Sequence, residues 1–100
     1  MTIAKTILQQ LGGNKFVVMT GSKNFMSNAD SLRMDLTRNK ASVNRLKISL
    51  MPSDTYTMEF YRMAKSKGEY KITRQQIIDD VYCDMLQDVF TAVTGLHTHF

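Results

Sequence analysis

Three consecutive stretches of the chain between residues 31 and 63 alternate apolar and polar residues with a period of two. Side chains on a β-strand point to opposite faces in turn, so the pattern predicts three strands, each with one buried and one solvated face. The predicted inward residues are Leu32, Met34, Leu36, Leu46, Ile48, Leu50, Tyr56, Met58 and Phe60. Alternation of this kind is typical of an antiparallel sheet that is covered on one side only.

The neighbouring segments extend the predicted sheet to five strands. Residues 15–20 predict a strand that is apolar on both faces, and residues 70–73 predict a last strand with Tyr70 and Ile72 pointing inward. Residues 21–30 are rich in Gly, Ser, Asn and Asp, and this composition predicts a connection between strands.

The first residues of the chain predict a helix. Residues 2–11 place their apolar side chains in one stripe, and Gly12 or Gly13 can adopt the left-handed conformation that ends a helix. With a second helix near the C-terminus, the prediction is an α+β fold: helix, five-stranded mainly antiparallel meander, helix, with both helices on one face of the sheet. A length of 100 residues suits one hydrophobic core, so residues 1–100 are predicted to form a single domain.

The start of the C-terminal helix has two candidates. A capping-box pattern at residues 73–76 would start it near Arg74. Asp79 or Asp80 as the N-cap is favoured, because strand parity continues to Ile78. The apolar positions after residue 80 recur in pairs four apart, and Gly95 is predicted to end the helix.

The charged residues are unevenly distributed along the chain. All 13 Lys and Arg residues lie between Lys5 and Arg74, whereas residues 79–100 contain four Asp and no Lys or Arg. This segregation indicates either a basic binding surface or an acidic terminal helix whose Asp residues favour its start and its solvated face. Both interpretations stay open.

Hairpin connectivity predicts where the basic residues gather. Alternate loops of an antiparallel meander lie at the same end of the sheet, so the links at residues 38–43 and 65–68 should form one basic pole. Together with the solvated sheet face, this pole forms a candidate nucleic-acid-binding surface. Its residues are Arg33, Arg38, Lys40, Arg45, Lys47, Lys65, Lys67 and Lys71. Tyr61 is an aromatic candidate for base stacking on that face.

A solvated face without a ligand is the competing interpretation of the same residues. Asp35 and Glu59 interrupt the basic patch, and cross-strand pairing with Arg or Lys would turn them into a surface ion-pair lattice.

A protein-interaction module is the alternative function. Its candidate surfaces are an exposed sheet edge and the acidic helix face around Asp84 and Asp88. A homodimer is one association that such a surface would allow.

The sequence predicts no enzyme, no cofactor and no metal site. His97 and His99 lack the further ligands that a closed metal site needs. Cys83 has acidic neighbours, which favour the unreactive thiol. The pair of Asp35 and Glu59 faces basic neighbours and is predicted to be structural.

Composition predicts a cytoplasmic protein without a membrane span. The single Cys83 cannot form an internal disulfide, which suits a reducing compartment. No run approaches the roughly 20 apolar residues of a transmembrane helix. The N-terminal residues also lack the apolar stretch and cleavage site of a signal peptide.

Several stretches resemble small uncharacterised proteins of bacteriophages and related mobile elements. They are the opening TILQQLGGNKFVVMTG at residues 6–21, Arg38-Asn39-Lys40, and MLQDVF at residues 85–90 with Thr94-Gly95-Leu96. The resemblance implies a phage-associated, non-secreted protein, and therefore the cytoplasm of a host cell. Under the alternative function it implies a protein-interaction module such as a phage inhibitor of a host or defence factor. It supplies no activity and no binding residues.

Overall fold

The computed structural model describes residues 3–37 and 39–96. The helices are α1 (Ile3–Leu11), α2 (Asn14–Thr20) and α3 (Leu86–Thr94), and a 3₁₀ turn at Cys83–Met85 precedes α3. The strands are β1 (Lys23–Ser27), β2 (Ser31–Asp35), β3 (Arg45–Leu50), β4 (Tyr56–Ser66) and β5 (Glu69–Val81). The sheet order is β1-β2-β3-β4-β5, and every neighbouring pair is antiparallel. The prediction of an α+β fold with a five-stranded antiparallel meander is confirmed.

The inward residues of the three central strands form the core together with the helices. Leu32, Ile48 and Met58 are cross-strand partners and are all buried. The side chains of α1, α2 and α3 that pack on this face are Ala4, Ile7, Leu11, Phe16, Leu86 and Phe90. The Phe16 and Phe90 rings meet edge to face, with centroids 5.0 Å apart. Both terminal helices therefore cover one face of the sheet, as predicted.

The prediction of a strand at residues 15–20 is wrong, because this segment forms α2. Phe16 and Thr20 are buried four residues apart, and the Thr20 hydroxyl donates to the Phe16 carbonyl. Val18 lies on the opposite, exposed side. A short segment that is apolar on both faces is compatible with a strand and with a helix. Here the packing of Phe16 and Thr20 against the core favours the helix.

The predicted connection at residues 21–30 is also wrong, because it contains the edge strand β1. Gly21 ends α2 in the left-handed conformation, and β1 then pairs with β2 from Lys23 opposite Asp35 to Ser27 opposite Leu32. The Asn24 side-chain amide donates to Asp35 Oδ2 at 2.7 Å. Pairing with a central strand outweighs the low strand propensity of this polar segment.

The C-terminal helix begins later than either predicted start. β5 runs to Val81, where it pairs with Tyr56, so Asp79 and Asp80 belong to the strand and α3 begins at Leu86. The Thr57 hydroxyl donates to Asp79 Oδ1 at 3.0 Å, which ties that Asp to the sheet. Continued pairing with β4 makes the strand longer than local capping signals indicate.

The predicted helix ends are confirmed. Gly95 has a φ of 75° and donates its N–H to the Thr91 carbonyl at the end of α3. α1 also ends where predicted, at Leu11, and the Gly13 N–H donates to the Leu8 carbonyl; however, Gly13 has φ 59° and ψ −130°, which is not the predicted left-handed conformation. Among the described residues, no helix has the length and apolar character needed to cross a membrane.

Candidate functional site

The hairpin of β4 and β5 extends far beyond the rest of the sheet. β3 reaches Arg45, opposite Tyr61, whereas β4 continues for five more residues to Ser66. At about 3.4 Å per residue, the hairpin projects roughly 17 Å past its neighbour. Lys67 and Gly68 form the connecting turn, with φ of 51° and 84°. Residues 62–74 are called the arm below.

The arm is basic and exposed. It carries five cations, Arg62, Lys65, Lys67, Lys71 and Arg74, and one acid, Glu69. All five cations are exposed, and none takes part in an ion pair with another described residue. Because their charges are not neutralised by the protein, they are available to an anionic partner.

Exposed apolar side chains accompany these charges. Tyr70 is 68% exposed and Ile72 is 55% exposed, so the prediction that they point into the core is wrong. They pair with Lys65 and Met63, in the part of the hairpin that lies beyond the neighbouring strand and the helices. Lys65 Nζ lies 5.9 Å from the centre of the Tyr70 ring.

The outer face of the central strands offers fewer free charges than the sequence indicates. Arg45 Nε lies 3.1 Å from Asp35 Oδ1, which confirms the predicted pairing of this acid with a basic neighbour. Lys47 stands between Arg33 and Glu59 in the register of β2, β3 and β4, and all three side chains are half-buried.

Two further polar groups lie on this face. Glu59 Oε1 accepts a hydrogen bond from the Gln75 side-chain amide at 2.6 Å. Arg33 Nε is buried and has no hydrogen-bond partner in the described part of the chain. Tyr61 is only 5% exposed, so its ring is covered and is not a platform for stacking.

The predicted basic pole is divided between two places. Its two links lie at the same end of the sheet, but the arm carries Lys65 and Lys67 well beyond the other link. Lys40 lies at the end of α3, where its N–H donates to the Thr94 carbonyl and its side chain faces Gly95. A cation at this position complements the negative end of the helix dipole, which gives Lys40 a structural role. Arg38 lies outside the described residues.

Two basic residues of the arm are missing from the sequence-based candidates. Arg62 and Arg74 lie at the base of the arm, and the Arg62 guanidinium donates to the Ser42 carbonyl at 3.3 Å. Arg62 is two residues after Phe60 and four after Met58, so the alternation along the strand assigns it to the inward face. A charged side chain on the inward face indicates that this part of the strand is not covered by the helices, and this signal in the sequence could have identified Arg62 as a site candidate.

The remaining candidates lie at the other side of the molecule. Asp84 is in the 3₁₀ turn and Asp88 is in the first turn of α3, and both are exposed. Cys83 is a free, exposed thiol. Within residues 3–37 and 39–96, no three His, Cys, Asp or Glu side chains group together as metal ligands would. His97 and His99 lie outside the described residues.

One ionisable group links the sheet to α1. The Tyr56 hydroxyl donates to Gln10 Oε1 at 2.8 Å. Burial raises the pKa of Tyr56 above its usual 10.0, and the nearby Cys83 raises it further. Tyr56 is therefore a structural contact.

Comparison of the chain with protein-family models, with curated proteins and with solved structures finds no match.

Proposed function

We propose that this protein is a non-enzymatic binding protein that holds nucleic acid through the arm. The main support for this proposal is that the arm is an exposed two-stranded ribbon with five cations and one acid. Lys and Arg side chains that contact phosphates release condensed counterions, and this release drives much of nucleic-acid binding.

The shape of the arm supports the proposal. A two-stranded β-ribbon fits the major groove of B-DNA, which is about 12 Å wide and about 8.5 Å deep. The arm projects far enough to enter such a groove while the helices stay outside it. The turn at Lys67 and Gly68 would lie deepest, with Lys65 and Lys71 near the phosphates on either side.

The aromatic residue of the arm supports binding to unpaired bases as well. Tyr70 exposes its ring beside Lys65, and an exposed ring next to a cation can stack a base while the cation holds the adjacent phosphate. Duplex and single-stranded probes distinguish the two modes. The ion pair of Arg45 with Asp35 makes the central sheet face a weaker site than the arm.

Binding to a duplex and to a single-stranded oligonucleotide tests the proposal. For Lys65→Gln with Lys67→Gln, we expect weaker binding and a slope of log K against log salt that is shallower by about 2, since two phosphate contacts are lost. Fluorescence anisotropy at several salt concentrations measures both quantities.

The matched control removes two lysines from elsewhere on the surface. Lys15→Gln with Lys23→Gln changes the net charge equally, on α2 and β1, and both residues are exposed. We expect this pair to lower affinity much less. Equal losses in the two pairs would show a nonspecific charge effect and would refute the arm as the site.

A protein partner is the second candidate function, favoured by the free edge of β5. This 13-residue strand pairs only with β4 among the described strands, and it exposes Ile72 and Ile77. A partner strand could pair with that edge and cover both isoleucines. The acidic surface at Asp84 and Asp88 is the other candidate contact.

Capture of partners from host lysate after nuclease treatment separates the two functions. A partner that persists after nuclease, is lost with Ile77→Lys and is kept with Val18→Lys would support the β5 edge. Val18 is an exposed apolar residue on α2 and serves as the matched control. The phage origin and the host-cytoplasm location stay predictions that accompany both candidates.

A further inference from the structure

A pocket of about 560 Å³ lies between the loop after β2 and the base of the arm. Arg62 and Arg74 form one wall, and Ser42 and Asn44 are part of the other. No Asp or Glu is among the described residues that line it. A volume of this size lies within the range of small-molecule sites.

The walls are held in place by side-chain hydrogen bonds to the backbone. The Asn44 side-chain amide donates to the Met63 carbonyl at 3.0 Å, and the Met63 N–H donates to Asn44 Oδ1 at 2.8 Å. The Asn39 side-chain amide donates to the carbonyls of Thr37 and Val43. The first pair joins the loop to the arm, and the second fixes the loop itself, so the pocket exists before any ligand binds.

An irregularity in β5 brings the second arginine to this pocket. Phe60 pairs with Gln76 and Arg62 pairs with Thr73, so β5 has one more residue than β4 between these pairs. Arg74, at this bulge, has a φ of 52°, which is unfavourable for a residue with a long side chain. Bulges redirect side chains, and here Arg74 faces the same pocket as Arg62.

The two guanidinium groups retain unused donors. Arg62 gives one N–H to the Ser42 carbonyl, which leaves most of its five donors for a ligand. Arg74 has no ion pair with any residue that the structure describes. Planar guanidinium groups bind phosphate oxygens in pairs of parallel hydrogen bonds, and two of them match a doubly charged phosphate better than a singly charged diester.

We propose that this pocket binds a terminal phosphate group, carried either by a small phosphorylated compound or by the 5′ end of a nucleic acid. This site lies at the base of the arm and does not require its tip to bind nucleic acid. Binding of the phosphate and binding through the tip are therefore separable by mutation.

The test compares three probes: inorganic phosphate, a 5′-phosphorylated single-stranded oligonucleotide and the same oligonucleotide without the phosphate. If the pocket binds 5′ ends, we expect the phosphorylated oligonucleotide to bind at least about tenfold more tightly than the one without the phosphate. A site for small compounds predicts no such preference, but inorganic phosphate should shift the amide resonances of residues 42–44.

Two pairs of substitutions complete the experiment. Arg62→Gln with Arg74→Gln should abolish the preference or the phosphate-induced shifts. Lys65→Gln with Lys67→Gln, at the tip, should retain them. Thermal unfolding confirms that each variant is folded, and Arg74→Gln alone is the milder test if the double variant is unstable.

The absence of both a 5′-phosphate preference and phosphate-induced shifts in the wild type would overturn the proposed pocket. Equal responses in wild type and the Arg62/Arg74 variant would overturn it as well. If the tip variant loses no nucleic-acid affinity while the phosphate response is present, the proposed function fails and the pocket stands.

Discussion

Tyr56 shows how a single buried side chain joins two elements of this fold. Its hydroxyl donates to Gln10 on α1, while its ring lies in the core beneath the sheet. Burial raises the pKa of the phenol, so the folded state holds the proton more tightly than the unfolded state does. The resulting stabilisation is present below about pH 10 and is lost as the pH rises through the folded-state value.

Tyr56→Phe is expected to lower the free energy of unfolding at neutral pH by about 0.5–1.5 kcal/mol, because the hydrogen bond is lost. The gap between wild type and variant should narrow as the pH rises above about 10. Urea unfolding at a series of pH values measures the gap. Tyr82→Phe, at an exposed tyrosine, is the matched control, and a gap for Tyr56→Phe that is constant over the whole range would contradict the prediction.

At the scale of elements, the β4–β5 hairpin contains two regions with different environments. Residues 56–61 lie against β3 and the helices, whereas the arm has only its own cross-strand hydrogen bonds and the contacts at its base. Asn44 marks the boundary, because it binds the backbone of Met63 at both the N–H and the carbonyl. Opening the arm exposes little core surface, so it costs much less free energy than opening the centre of the sheet.

Hydrogen exchange tests this difference. We expect the amides of the arm to exchange at least about 100-fold faster than those of residues 56–61, since local opening suffices for them. Met63 is the exception within the arm, because its N–H donates to Asn44 Oδ1, and Asn44→Ala should make this amide exchange as fast as the rest of the arm. Asn28→Ala, which removes a side-chain hydrogen bond at the turn between β1 and β2, is the control and should leave the arm unchanged. Equal protection along all of β4 would refute two separate regions.

At the scale of the whole molecule, one continuous core joins the three helices to the sheet. Ile48 is fully buried at its centre, between Leu32 and Met58. A carboxylate at this position would lose its hydration without gaining a partner, a cost that is large beside the roughly 5–15 kcal/mol that stabilises a typical domain.

Ile48→Asp is therefore expected to unfold the protein, with loss of the cooperative thermal transition. Ile77→Asp makes the same chemical change at an exposed isoleucine of β5 and should change the free energy of unfolding by no more than about 1 kcal/mol. Circular dichroism during heating compares the two. A wild-type-like transition for Ile48→Asp would contradict the assignment of the core.

Several parts of the fold could be predicted from the sequence, because a single local pattern suffices for each of them. Alternation identified β2, β3 and the first half of β4 with their buried faces, and glycines marked the ends of α1 and α3. These features follow from backbone geometry and from burial of one side of each segment. The fold class and the coverage of one sheet face followed from them.

Segments with weak or divided local preferences took their conformation from tertiary contacts. Contact with the core made residues 14–20 a helix, and pairing with β2 made polar residues 23–27 a strand. Pairing with β4 extends β5 to Val81, and it extends the hairpin beyond the neighbouring strand. As a result, Tyr70 is exposed to solvent, and Arg74 lines the same pocket as Arg62. Strand pairing joins residues that are distant in the chain, so its length and bulges depend on a partner that no local pattern contains.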